Sequence, residues 1–148
     1  MLPKKTHYAI KALTRLAQVY YEKKPLRASH ISEAEKIPRK FLEAILLELK
    51  QKGFVTSRMG PTGGYLLARH PEEVMLSQVI RSTGGPIALL PCVSLNFYES
   101  CIGCPNENTC GLHEVMFEVR EASLKILSKT SLTDLVLREK RLLRKIKK

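Results

Sequence analysis

The 148-residue chain has no long apolar run. Its apolar runs, such as Ile87 to Leu90, fall far short of the roughly 20 residues that cross a bilayer as a helix. The start, Met1 to His7, lacks an apolar core and a cleavage site, so no secretory signal is expected there. Both absences point to the cytoplasm and away from membrane function. Acidic residues are scarce as well: 14 Asp and Glu stand against 25 Lys and Arg, a formal net charge of +11. The shortage is local. Residues 1–70 carry 14 Lys and Arg with 5 Asp and Glu, residues 138–148 carry 7 with 1, and residues 71–137 are acidic, with 4 against 8. Basic ends around an acidic middle imply that one face meets a polyanion, and nucleic acid is the favoured one.

Cysteine is absent outside one stretch. All four thiols fall between Cys92 and Cys110, followed by His113, on a segment broken by Gly103, Pro105 and Gly111. Those breakers predict a loop. Where thiols stay reduced, such a group points to metal binding or redox sensing rather than to structural disulfides. A loop this irregular buries little of a core, and a metal centre is the favoured means of holding it.

The rest of the chain reads as mainly α. Apolar residues at Tyr8, Ala9, Ala12, Leu13, Leu16, Ala17, Val19 and Tyr20 fit a helix from Thr6 to Tyr21. A short helix, Ala28 to Lys36, is expected to turn Ile31 and Ala34 inward. Ile37-Pro38 stops it and suits the start of another, to Lys52, with Phe41, Leu42, Ile45, Leu46 and Leu49 on one face. Gly53 supplies a left-handed stop. Two strands follow, Phe54 to Arg58 and Tyr65 to Arg69, with Gly60, Gly63 and Gly64 between them. Helix-turn-helix followed by a hairpin is a winged helix. A short helix at Leu76 to Ser82 is predicted to face Val79 and Ile80 inward.

Beyond the cysteine loop, Leu112, Val115, Met116, Val119, Ser123, Ile126 and Leu127 share one helical face. Ser131 to Asp134 can open a last helix, with Leu132, Leu135, Val136, Leu142 and Leu143 apolar. A small winged domain offers little surface for these two helices. They are expected to pack on a second copy, since groove-reading helices come in symmetric pairs. The chain thus divides into a winged helix-turn-helix domain at 1–70, a short helix with the cysteine loop at 71–111, and a dimerisation helix with a basic last helix at 112–148.

In this reading the helix Pro38 to Lys52 enters the major groove of double-stranded DNA. Lys40, Glu43 and Ala44 take the base-reading positions, Arg39 and Lys50 lie nearer phosphates, and the wing (Arg58, Gly60, Gly63, Tyr65) follows the adjacent backbone. His30 and His70 are expected to face solvent. The basic tail, Arg138 to Lys148, is most simply a solvated helix end.

The run from Phe41 to Arg69, with its wing motif G-P-x-G-G-Y-x-L, resembles the Rrf-two family of bacterial transcription regulators. The likeness spans nearly the whole chain, from Tyr8-Ala9 to the cysteines. It implies a dimeric winged-helix DNA-binding protein whose long helix crosses its twin, acting on an inverted-repeat operator, and no enzyme. The family's sensing members hold an iron–sulfur cluster on this loop. Cys92, Cys104 and Cys110 match those ligands, and His113 matches the histidine that completes the set in the iron–sulfur assembly regulator. A [2Fe-2S] form is favoured over [4Fe-4S]. Three features depart from the pattern. Cys101 is extra and the gap from Cys92 is longer than usual, so either Cys101 or Cys104 stands as second ligand, and Met59 replaces the arginine common before the wing's first glycine. His7 lies where some cluster-binding relatives place an acidic residue that reaches the partner subunit's cluster; a plain surface histidine is the simpler assignment.

Alternatives remain at the loop. Cys101-x-x-Cys104 with Cys110-x-x-His113 offers four zinc ligands, though only five residues separate the pairs. A metal-free thiol switch is another, and so is a cluster-free regulator that acts through a protein partner. A thiol redox enzyme built on Cys101-x-x-Cys104 lacks the strand-then-helix context of that motif.

Overall fold

The computed structural model describes residues 2–146. Of the expected basic tail, Lys147 and Lys148 lie outside the described residues, as does Met1 at the start. Helices α1 (Lys4–Gln18), α2 (Ala28–Glu35) and α3 (Arg39–Gln51) lead into strands β1 (Val55–Arg58) and β2 (Gly64–Leu67). Helices α4 (Leu76–Gly84), α5 (Gly111–Leu127) and α6 (Leu132–Ile146) follow. Among the described residues no helix is long and apolar enough to cross a membrane.

Burial follows the helical period. Ala9, Ala12, Leu13, Leu16 and Ala17 of α1 meet Leu42, Ile45, Leu46 and Leu49 of α3 in one core. Phe41 does not join them: it stays 42% exposed, edge-on to Tyr8 at the rim. On α2 only Ile31 is buried, and Ala34 is exposed. Lys36, left-handed at φ 53°, turns the chain so that Ile37 takes the core place expected for Ala34. Pro38 sits just before α3, and its carbonyl accepts the Leu42 N–H.

The wing is an antiparallel pair with Val55 opposite Leu67 and Arg58 opposite Gly64. Two glycines make its turn and its seat. A Cβ on Gly63 would stand 2.3 Å from the Arg58 carbonyl oxygen, and one on Gly64 2.5 Å from that of Leu26. That close approach lets Tyr65 exchange both backbone hydrogen bonds with Leu26, which fixes the wing to the chain entering α2.

The last helix departs from expectation. Leu132 and Val136 are buried in the same core as α1, so the first half of α6 packs within its own chain. A capping box opens it: Asp134 Oδ2 accepts from the Ser131 N–H and hydroxyl, and Ser131 Oγ accepts from the Asp134 N–H. Farther on, Leu137, Leu142, Leu143 and Ile146 are exposed. Helix α5 contrasts with every other long helix, because Arg120 is its one buried residue.

Candidate nucleic-acid interface and cysteine loop

The outer face of α3 presents Arg39, Lys40 and Ala44 to solvent, with Glu43 half-buried. Arg39 Nε donates to Glu43 Oε1 at 2.9 Å, one turn on. The expected phosphate contact and the expected base reader are therefore one pair rather than two independent groups. Lys50 Nζ donates to Ser57 Oγ at 2.6 Å and ties the end of α3 to the wing. Arg58 and Gly60 are exposed at the wing tip, whereas Gly63 is buried and Tyr65 packs half-buried against the core. The last two therefore shape the wing from inside.

Sequence reasoning passed over two features of this face. Leu47, 55% exposed, extends the surface one turn beyond Glu43 and Ala44, a place the i+4 spacing marks. Lys23, Lys24, Arg27 and His30 join Arg58 and Pro61 around a cleft of about 700 Å³ between the wing and the entry to α2. The Arg27 guanidinium donates to the Pro61 carbonyl across it. The adjacent lysines before Pro25 were the available signal.

The cysteine loop begins in a 3-10 turn, Pro91–Val93, where Cys92 and Val93 are buried. Cys101, Cys104 and Cys110 are half-buried, and all four thiols are free. Cys92 lies against Cys101; burial first, then that neighbouring thiol, pushes its pKa up to about 11. Cys104 is also raised, chiefly by burial, with Cys110 beside it. Asn106 Oδ1 accepts from the Asn108 N–H to shape a second 3-10 turn, Glu107–Thr109. The Tyr98 hydroxyl donates to Glu107 Oε1 at 2.9 Å, which raises the tyrosine pKa. Cys110 Sγ then caps α5 by accepting the His113 N–H at 3.5 Å. A sulfur there gains from the positive end of the helix dipole.

The expected ligands are thus gathered in part. Cys110 and His113 adjoin at the start of α5, Cys104 lies beside Cys110, and Cys92 faces the extra Cys101. Among the described residues no three of the His, Cys, Asp and Glu groups stand together as a metal site. The donor chemistry nevertheless fits a thiophilic centre. His113 Nδ1 is buried without a hydrogen-bond partner, a state that polar atoms seldom tolerate and that a metal bond relieves. His7 is exposed on the second turn of α1, its ring stacked on Tyr8. His30 is exposed as expected, but His70 is half-buried against Tyr20 and Tyr21.

A family model described as an iron-dependent transcriptional regulator matches residues 2–138. The chain belongs to the Rrf2 (Rrf-two) family. This Rrf2 chain is 37% identical over 138 residues to an rrf2-like HTH-type transcriptional regulator of Rhodobacter capsulatus, covering 92% of each. It is 31% identical to the HTH-type transcriptional regulator NsrR of Geobacillus kaustophilus, over 88% of this chain and 86% of that one. Among solved structures it superposes on CymR, the global cysteine regulator of B. subtilis, with a TM-score of 0.77 at 24% identity, covering 93% of this chain and 97% of that one. It superposes on T. potens IscR with a TM-score of 0.72 at 24% identity, over 94% and 88%. Identities this low establish the winged-helix fold alone. With the family match, the chain is a DNA-binding transcription regulator of the Rrf2 type and not an enzyme.

Proposed function

We propose that the Rrf2 chain works as a homodimer on inverted-repeat DNA, and that an iron–sulfur cluster on the Cys92–His113 loop sets its operator affinity. The observation that carries the cluster is His113 Nδ1, buried and unpartnered, on the residue whose backbone N–H donates to the Cys110 sulfur that opens α5. Cys92, Cys104, Cys110 and His113 would hold the group, with Cys101 as the substitute for Cys104. When bound, it would accept bonds from the thiolates and the imidazole and so tie together a segment whose Leu95, Phe97, Tyr98 and Ile102 are exposed and give the loop little packing of its own. The imidazole weakens the hold relative to a fourth thiolate, as suits a cluster that must come and go. A [2Fe-2S] centre is favoured over [4Fe-4S].

Dimerisation is supported by α5, where Leu112, Val115, Val119 and Ile126 are 38–63% exposed and Met116, Ser123 and Leu127 are half-buried. An apolar stripe of this length is normally covered. On DNA, α3 offers Lys40, the Arg39–Glu43 pair and Ala44 to the major groove, and the wing follows the backbone with Arg58 and Gly60.

Protein purified without oxygen tests the cluster. The expected result is visible absorption with iron bound, lost in Cys92→Ala and Cys110→Ala and kept in Cys101→Ala. Colourless protein with one zinc per chain contradicts it. Cys101 as the nearest thiol neighbour that shifts Cys92 favours a thiol switch as second reading; there, Cys101→Ala rather than Cys104→Ala removes the response.

A further inference from the structure

Helix α5 is exposed over much of its length, yet it carries one buried side chain, and that side chain is charged. Arg120 is 8% exposed. Arginines are almost never buried without partners, so the question is what this one holds. Its Nη1 donates to the Val93 carbonyl at 2.6 Å. Its Nε and Nη2 donate to Glu121 Oε1 at 3.0 and 2.7 Å, and its guanidinium lies 4.3 Å from the centre of the Phe117 ring. Glu121 and Phe117 belong to α5 itself. The Val93 carbonyl does not: it belongs to the last residue of the 3-10 turn that contains Cys92.

That turn is the main surface on which α5 rests within its own chain. Val93 is 2% exposed and Cys92 6%, so the turn is packed while the residues from Leu95 to Asn106 are largely exposed. On its other side Arg120 lines, with Val119, Ser123 and Leu127, a cleft of about 390 Å³ that reaches Ile80 of α4 and the segment Pro86–Leu89. Arg120 therefore stands where the cysteine loop, the predicted dimer helix and the reading body converge.

We infer that Arg120 is a positioning residue that locks the Cys92 turn to α5, so that the state of the cysteine loop sets the placement of the dimer helix through one guanidinium. The regulatory half of this rests on the function proposed above; the mechanical half does not. A planar fork stacked on an aromatic ring is needed to reach a backbone carbonyl and a carboxylate together. Lysine, a point charge on a flexible stem, reproduces the charge and most of the volume without the fork.

The test uses metal-free protein in which Cys101, Cys104 and Cys110 are replaced by Ser, leaving Cys92 as the only thiol. Its alkylation by iodoacetamide reports opening of the turn. Arg120→Lys should raise that rate by about tenfold or more while far-UV circular dichroism stays unchanged. Arg120→Met should do the same; if it fails to fold, Arg120→Lys decides alone. A rate within about threefold of the parent overturns the inference. In the otherwise unaltered chain, Arg120→Lys should keep the parent's iron content but bring its operator affinities with and without iron to within about twofold of each other. A variant that keeps the parent's full difference also overturns it. If the parent binds its operator equally with and without iron, the proposed regulation falls, and the alkylation rate still decides what Arg120 holds.

Discussion

Leu13 of α1 and Leu46 of α3 are fully buried, while Leu112 and Ile126 of α5 stand 58% and 63% exposed, although all four lie on apolar stripes of helical spacing. The reading body closes its own core: α1, α3, the wing and the first half of α6 bury one another. The region from Leu89 to Leu127 contributes Cys92, Val93, Ser94 and Arg120 to the buried residues and little else. Burying a leucine stabilises by about 1.5–3 kcal/mol, and a stripe left in water gains none of it. Periodicity thus tells which face of a helix is apolar, but not whether the chain or a partner covers it. The contrast lies between a body that buries its apolar stripes within its own chain and a loop-and-helix unit that leaves them exposed.

The largest expected effect falls on the exposed half. Met116→Glu or Val119→Glu places a carboxylate in the proposed crossing interface without a partner charge. Light scattering should show monomers, and operator affinity should drop by about 100-fold or more, because two half-sites are no longer held together. A stable dimer of either variant moves the interface elsewhere. Next comes the packed half. Leu46→Ala should cost about 2–5 kcal/mol of unfolding free energy in urea, against less than about 0.5 for Ile102→Ala, a residue wholly in solvent. Equal losses would erase the contrast between the regions.

A smaller effect tests the reading face. Glu43→Ala should alter which base is preferred at one operator position by about 1–3 kcal/mol, since a carboxylate accepts from cytosine N4. It also frees Arg39 from its pair, so some general gain in phosphate binding should accompany the change. An even loss on every operator removes the reading role. The smallest concerns the capping box of α6. Ser131→Ala should cost about 1 kcal/mol. The Ser131 N–H, then its hydroxyl, hold the Asp134 carboxyl below its ordinary value of 3.8. Its contribution is therefore complete above that value and disappears as pH falls through the lower folded-state value. Asp134→Asn should flatten this part of the acid limb of stability; an unchanged acid limb contradicts it.

Local signals carried most of the fold. The spacing of Leu42, Ile45, Leu46 and Leu49, the glycines of the wing and Ser131–Asp134 each specify structure within a few residues, and the structure agrees with all three. Where the outcome depends on distant partners, the sequence was silent or misleading. Ala34 gave way to Ile37 because a left-handed turn moved the chain, and Phe41 fell at the rim beside Tyr8. The first half of α6 returned to α1 because the segment from His70 to Val74 brings Ser131 back against Met75. At the site, the adjacency of Cys110 and His113 follows from their i, i+3 spacing at a helix start. The nearness of Cys92 to Cys101 does not, since spacing through a proline- and glycine-broken loop fixes no closure. Arg120 was illegible because one arginine on a helix reads as solvated until its carbonyl partner is seen.

The occupied cysteine loop is proposed to set how tightly the body holds DNA. The direct measurement is operator affinity on one anaerobic preparation, before and after iron is removed by chelation, for the parent chain and for Cys92→Ala. The expected change is about 5- to 150-fold in the parent, the usual span of allosteric coupling, and none in Cys92→Ala. A parent chain that takes up iron yet binds its operator with the same affinity in both states contradicts it.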